Sequence, residues 1–408
     1  MTLPLEGIRI IDLGWIIAGP LSTRLLADFG AEVIKVESSV RPDVARGNRS
    51  PLFGELPGDA NSNADTGGYF QDVNAGKLSL TLNLALPEGR KLLRSLVAVS
   101  DAIVCNLHGD QLQRWGVGYE DASRINPRII VLTVPTMETK GPRARWRGFG
   151  DSFAAMSGLK SVSGLPGEPP VNFGHQYPDF SSNPFHAAIA LMAALHRREQ
   201  TGRGQFIEVS QYESTAALLG PAVLEYTANG VTPRPRGNFN HNAAPHNIYR
   251  CRGEDSWCAI TVLEDAQWRA LVTIDALRAL DRPEFATLEG RRAGEDDIDA
   301  GIEAWTCGWD RQELAAFLQS RGVPAGSYQD IVDMVHNDPV LGERYFEKRM
   351  HPVGREFLVH GSPIQSRRTP AQVELGPLLG EHTIQILEGI IGLTADEIAE
   401  YAAVGAIE

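Results

Sequence analysis

The chain is expected to fold as an α/β protein, with a large domain built on a Rossmann-like, doubly wound parallel sheet and a second, smaller α+β domain. Three observations lead there. Short β-branched runs alternate with helical patterns from Gly7 to Ser210. The first strand, helix and strand close within residues 7–37, the span of a right-handed βαβ unit. Residues 231–237, with two prolines and two arginines, then break the alternation and mark a domain boundary.

The elements follow in order. Residues 7–13 are a β-branched run ending at Gly14 and read as a buried strand. Ala18-Gly19-Pro20 opens a helix with Leu21, Leu25, Leu26 and Phe29 on one face, and Gly30 stops it. A second strand covers 32–37. Residues 41–68 are rich in Gly, Pro, Asn and Asp and have no periodicity, which marks a functional loop or a segment that wraps a partner. Strands resume at 77–82, 101–105 and 128–134, and a helix at 87–99 carries Pro87 in its first turn. Lys140, Arg143, Arg145 and Arg147 then form a basic cluster, read either as a solvated loop or as phosphate contacts.

A helix at 151–159 and a Gly/Pro-rich approach at 163–174 lead to Gln176-Tyr177-Pro178-Asp179-Phe180-Ser181-Ser182-Asn183-Pro184. Its two prolines fix φ and lack N–H groups, so this stretch reads as a stiff loop presenting Asp179 at the mouth of a helix, 185–198. The turn Thr201-Gly202-Arg203-Gly204-Gln205, a strand at 206–210 and a helix at 212–229 complete the first domain, taken as 1–230 plus 331–408. The smaller domain is taken as 231–330, with a strand at 257–262 and helices at 265–273, 297–307 and 311–320. The tail adds a helix at 331–336, a strand-like 354–360, and helices at 383–389 and 394–402.

Composition narrows the function. The 408 residues are 43% hydrophobic and 22% charged, an ordinary globular balance with room for about two or three domains. A net charge of −13 gives no global positive field, which argues against nucleic-acid and anionic-membrane partners but permits a local basic pocket. Cys105, Cys251, Cys258 and Cys307 match no zinc or thioredoxin spacing and are expected reduced and mostly buried. The N-terminus lacks the basic and apolar regions of a signal peptide, and no apolar run could span a bilayer, so a cytoplasmic protein is expected. There is no P-loop, no G-x-S-x-G elbow and no G-x-G-x-x-G fingerprint, so nothing argues for NAD. His241 and His246 stand five apart without a third ligand, and no metal site is expected.

Several of these stretches together resemble the family III (CaiB/BaiF) coenzyme A transferases, the group that includes formyl-CoA transferase. The resemblance rests on Leu5-Glu6-Gly7-Ile8-Arg9-Ile10-Ile11-Asp12-Leu13, on Ala18-Gly19-Pro20, and on Leu25-Leu26-Ala27-Asp28-Phe29-Gly30-Ala31-Glu32-Val33-Ile34-Lys35-Val36-Glu37. It continues with residues 74–77, Asn106, the 201–205 turn and Leu379-Gly380-Glu381-His382-Thr383. It implies an interlocked dimer, of two copies or of this chain with a paralogue. It also implies a CoA thioester as substrate rather than a prosthetic group, with an acyl-CoA and a free carboxylic acid as partners.

The family's nucleophile falls on Asp179. A carboxylate can attack a thioester carbonyl to give a mixed anhydride, then carry CoA as an aspartyl thioester; a serine could be acylated but could not carry CoA that way. The other reading of Asp179 is a helix N-cap, a task Ser182 and Asn183 can also fill. The resemblance places Ala18 at the thioester end of CoA, and Lys77, Asn106 and Arg114 along the nucleotide. Position 38, often basic in relatives, is Ser38 here, and Arg41, Arg46 or the arginines at 143–147 are the substitutes to consider. Arg46 and Arg49 could meet a second substrate carboxylate; Tyr177, Phe180, Phe185, His175 and the 48–66 loop could shape the acyl pocket. One glycine, Gly237, stands where formyl-CoA transferase has a glycine lid. Two other functions fit the same pattern: an α-methylacyl-CoA racemase, which would need a histidine where Gly150 stands, and a subunit that only completes an assembly.

Overall fold

The computed structural model describes residues 2–47, 65–107, 110–174 and 176–408. Arg49, His175 and most of the 48–66 loop lie outside them. The chain divides into two units: 1–161, 171–233 and 343–408 form the first, and 162–170 with 234–342 the second. Relative to the expected 231–330, the second unit also takes in 162–170 and reaches to Gly342.

The first unit is built on a six-stranded sheet. Its strands are β1 (Arg9–Asp12), β2 (Glu32–Glu37), β3 (Leu78–Thr81), β4 (Ala102–Cys105), β5 (Ile130–Thr133) and β6 (Phe206–Glu208). They run β3-β2-β1-β4-β5-β6, and every neighbouring pair is parallel. Helices α1 (Ala18–Ala27), α2 (Gly68–Val73), α3 (Pro87–Ala98), α4 (Gln111–Arg114) and α5 (Tyr119–Ile125) fall between the first five strands. Helices α6 (Gly150–Met156), α7 (Tyr177–Phe180) and α8 (Asn183–Thr201) come before β6, and α9 (Gln211–Ala216) and α10 (Gly220–Asn229) after it.

Alternation along the strands builds two cores. Ile11, Ile34, Ile103 and Val131 face one side, with Leu92, Leu93 and Leu96 of α3 and Ala122 of α5. Their neighbours Ile10, Val33, Val104 and Ile130 face the other, with Leu26 of α1 and Ala187, Leu191 and Ala194 of α8. Both faces of a parallel sheet must be covered, and that is why these strands read as near-continuous apolar runs. The strand order reverses between β1 and β4, and the loops leaving those two strands splay apart to open a crevice.

The stretch 176–184 departs from the expected loop. Residues 177–180 form one helical turn with Pro178 at its start, and α8 begins at Asn183, two residues before the expected 185. A proline's fixed φ and missing N–H suit the first turn of a helix as well as a loop, and both prolines here occupy such turns. Ser182 sits at the N-cap position of α8, and Asp179 does not cap that helix.

Helix α10 buries none of its residues: Val223 and Leu224 are 55% and 67% exposed, and Phe185 and Ile189 on α8 are also exposed. Late in the unit a hairpin of β10 (Phe346–His351) and β11 (Arg355–His360), labelled after β7–β9 of the second unit, packs back on α1. There the Arg24 guanidinium donates to the His360 carbonyl at 3.1 Å and His360 pairs with Asp72 at 2.7 Å.

The second unit holds β7 (His246–Arg250), β8 (Trp257–Thr261) and β9 (Ala325–Ser327) in an antiparallel sheet around a core of Tyr249, Trp268, Phe285, Ile298, Ile302 and Leu314. Cys105, Cys251 and Cys258 are free and buried, and Cys307 is free and exposed. No helix among the described residues is long and apolar enough to cross a membrane.

Candidate functional site

Two features of the first unit carry chemistry. The first is a cavity of about 860 Å³ at the carboxyl end of the parallel sheet. Its wall includes the residues that leave five of the six strands: Leu13 and Trp15 after β1, Ser38 after β2, Leu82 and Asn83 after β3, Asn106 and Leu107 after β4, and Pro135 and Thr136 after β5. Arg41, Arg90, Arg114 and Arg147 line it as well, with Trp115 and Trp146. Four arginines around one crevice make a local positive field inside a chain of net charge −13. Guanidinium forks and tryptophan faces are the groups that bind phosphates and stack on a nucleobase.

The loop between β1 and α1 forms the floor of this region, and buried ion pairs lock it. Asp12 accepts from the Gly14 N–H at 2.7 Å and pairs with Lys77 at 2.7 Å. Asp43 accepts from the Ile16 N–H with both oxygens at 3.1 Å and pairs with Lys35 at 2.9 Å; Lys35 also donates to the Gly14 carbonyl. Ile16 has φ +68°, a conformation a β-branched residue holds only where its surroundings impose it. Asn106 closes the loop from β4, accepting from the Trp15 N–H at 2.7 Å and donating to the Trp15 carbonyl at 2.8 Å.

The residues expected at a nucleotide therefore separate. Asn106 and Arg114 line the cavity, and Arg114 also pairs with Asp110 at 2.5 Å. Ala18 is buried at the start of α1, and its neighbour Gly19 packs on Asn106. Lys77 requires a correction: it is 3% exposed, is absent from the cavity wall, and gives its ammonium to Asp12, Asn74 and the Pro20 carbonyl. Lysine burial of this kind depends on partners far away in sequence, which a local pattern does not reveal. Lys77→Met is expected to destabilise the fold by about 3–5 kcal/mol, because it leaves Asp12 buried without its partner. Urea unfolding measures this directly.

Arg46 also departs from expectation. It is buried, pairs with Glu37 and Asp65 at 2.7 Å each, and lies 3.6 Å over the Phe70 ring. Arg41 and Arg147 line the cavity instead, and Arg143 stacks on Trp146 and Tyr212. Ser38 binds the Glu408 carboxylate at 2.9 Å. Arg90 and the tryptophans were not foreseen; only the fold brings them to the crevice.

The second feature is Asp179. It is 8% exposed, and among the described residues no cation forms an ion pair with it. Burial pushes its carboxyl up to about 7; the Asn183 amide and the Gly150 backbone N–H oppose the shift, and Asp151 adds to it. With so little compensation its charged form is disfavoured, and perturbed carboxyls of this kind cluster at functional sites. Gly150 faces it closely. A Cβ there would lie 2.4 Å from Asp179 Oδ2 and 3.0 Å from Gln176 Cβ. Asp179 is not among the residues lining the large cavity.

The sign of the shift gives a prediction. The carboxylate is the nucleophilic form and the raised value favours the neutral acid, so kcat/KM is expected to rise with pH through about 7 and to level off above it. A pH–rate profile with no inflection between about 6 and 8 would contradict this assignment.

A cavity of this charge at a sheet switch point suits a phosphate-bearing ligand, and a reactive buried carboxylate suits covalent group transfer. Residues 5–383 match the family described as CoA-transferase family III, and the chain belongs to that family. It is 31% identical over 404 residues to the succinyl-CoA–D-citramalate CoA-transferase of Chloroflexus aurantiacus, covering 97% of this chain and 96% of that one. The beta subunit of the succinyl-CoA–L-malate CoA-transferase of the same organism is also 31% identical, over 412 residues, covering 97% and 96%. A crystal structure of a CAIB/BAIF family protein from Brucella suis superposes with a TM-score of 0.85 at 30% identity, over 95% of this chain and 100% of that one.

Proposed function

We propose that the protein moves coenzyme A from an acyl-CoA donor to a carboxylic acid, with Asp179 as the nucleophile that carries first the acyl group and then CoA. The observation that carries the reading is Asp179 itself, a buried carboxylate without an ion-pair partner among the described residues; the resemblance of the surrounding stretch to the family's nucleophile segment supports it. The cavity supports the substrate class: Arg41, Arg114 and Arg147 would meet the phosphates of CoA, Trp15, Trp115 or Trp146 its base, and Ala18 the thioester end. Both named relatives act on dicarboxylic acids, and we take the acyl groups here to be dicarboxylic too.

The exposed apolar residues of α10, and Phe185 and Ile189 on α8, support a dimer, of the interlocked kind expected from the family. A relative named as one subunit of a two-subunit enzyme keeps a paralogue in view as the alternative partner.

A racemase would move an α proton and needs a base at position 150. Gly150 has none, and there is no room for a Cβ beside Asp179. The test is a panel of acyl-CoA donors against free acids, read by mass. Acceptor-dependent appearance of a new acyl-CoA supports the transferase. Deuterium entering the α-carbon from solvent without any acceptor supports the racemase and defeats this reading.

A further inference from the structure

We infer that Asn183 is a catalytic residue, donating a side-chain N–H to the aspartyl oxygen of Asp179 as charge develops there, and that Gln211 is the positioning residue that aims it. This rests on the reading of Asp179 as nucleophile and extends it to the fate of the aspartyl group.

The geometry is a chain of three buried groups. Asn183, fully buried in the first turn of α8, has its Nδ2 at 3.4 Å from Asp179 Oδ1 and 3.4 Å from Gln211 Oε1. Gln211, at the start of α9, donates its Nε2 to the Val134 carbonyl at 2.7 Å, just beyond β5. A backbone carbonyl only accepts, so it settles which way the Gln211 amide points. The Gln211 oxygen must then face Asn183, and the Asn183 NH2 must face both Gln211 and Asp179. Ser182 donates to the Asn183 oxygen at 3.4 Å and completes its contacts. The carboxyl end of β5 thus dictates the direction of a donor two side chains away.

The reaction gives that donor a use. Asp179 attacks the donor thioester carbon, the carbon–sulfur bond breaks, and CoA leaves as thiolate, giving an aspartyl–acyl anhydride. The thiolate then attacks the aspartyl carbon. The carbonyl pair moves onto the aspartyl oxygen and returns as the bond to the acyl oxygen breaks, releasing the donor acid and leaving an aspartyl–CoA thioester. The acceptor carboxylate attacks the same carbon, and the thiolate leaves again. Finally the thiolate attacks the acceptor acyl carbon, and Asp179 departs as carboxylate. Two of these four steps place an oxyanion on the aspartyl group. A donor that holds the resting carboxylate loosely, at 3.4 Å, can tighten on that oxyanion and so stabilise the transition state more than the ground state. The first step gains nothing from it, because that oxyanion forms on the substrate.

The test separates the steps. Rapid mixing of the enzyme with succinyl-CoA, quenching and intact-protein mass distinguish the acyl adduct from the CoA adduct. For Asn183→Ala, acyl adduct formation is expected within a few fold of wild type, and its conversion to CoA adduct is expected to slow about 10²-fold. Gln211→Ala is expected to show the same split, about 10-fold, and serves if Asn183→Ala does not fold. A purely structural role would slow both steps together, and that outcome, or no slowing in either folded variant, overturns the inference. If wild type forms neither adduct, the nucleophile reading fails and takes this one with it. If wild type forms both and the variants show no split, only this one fails.

Discussion

Asp179→Asn is expected to lose CoA transfer by about 10⁴-fold or more, since an amide cannot take up the acyl fragment while CoA changes carriers. The same substitution should change stability in a pH-dependent way that a loss of folding would not mimic. The carboxyl is raised from 3.8 to about 7 by burial. A raised value means that the folded state holds its proton more tightly than the unfolded chain does. The stabilisation is therefore fully present below about pH 4 and is lost as pH rises through about 7. Asparagine does not ionise and escapes that loss. Asp179→Asn should gain on wild type between pH 5 and pH 9 by as much as about 3 kcal/mol, the part of the shift that falls above pH 5. Urea unfolding at the two pH values reads this, and equal pH dependence in both proteins would contradict the assignment.

Gly150→Ala should damage activity too, though less than a change at the nucleophile. The new Cβ would meet Asp179 Oδ2 at 2.4 Å, well inside contact distance, so the carboxylate must move or α6 must shift. Displacement of a reacting group by about 1 Å costs about 10²-fold in rate. We expect kcat to fall by that order while CoA binding, governed by the separate cavity, stays near wild type. Gly389→Ala is the control: nothing lies within 4 Å of a Cβ there, and activity should be unchanged. A fully active Gly150→Ala would mean that Asp179 has freedom the packing does not suggest.

The strands of the sheet are legible because most are short β-branched or apolar runs bounded by Gly, Asn or Pro, as at Gly14 and Asn106. The buried carboxylate loop was legible through its prolines and its place before a long helix. Other features, β7 and β9 among them, are not legible, and three cases show why. The helical turn at 177–180 looks like a loop in the sequence, because proline supports both. Strand β10 was missed because Glu347, Lys348 and Arg349 hide its alternation until β11 pairs with it. The burial of Lys77 and Arg46 is hidden because it depends on Asp12 and Glu37, which no local pattern connects to them. Conversely, Arg90, Trp15 and Gln211 come into view only when separate strand ends meet.

The central claim, that Asp179 becomes covalently loaded, is tested most directly by trapping. The enzyme is incubated with an acyl-CoA, quenched with hydroxylamine and digested, and the peptide containing 176–184 is weighed. The account predicts an aspartyl hydroxamate at Asp179 that requires the acyl-CoA and is absent from Asp179→Asn. An unmodified Asp179 in an enzyme that turns over under the same conditions, or a hydroxamate at another carboxylate, would contradict it.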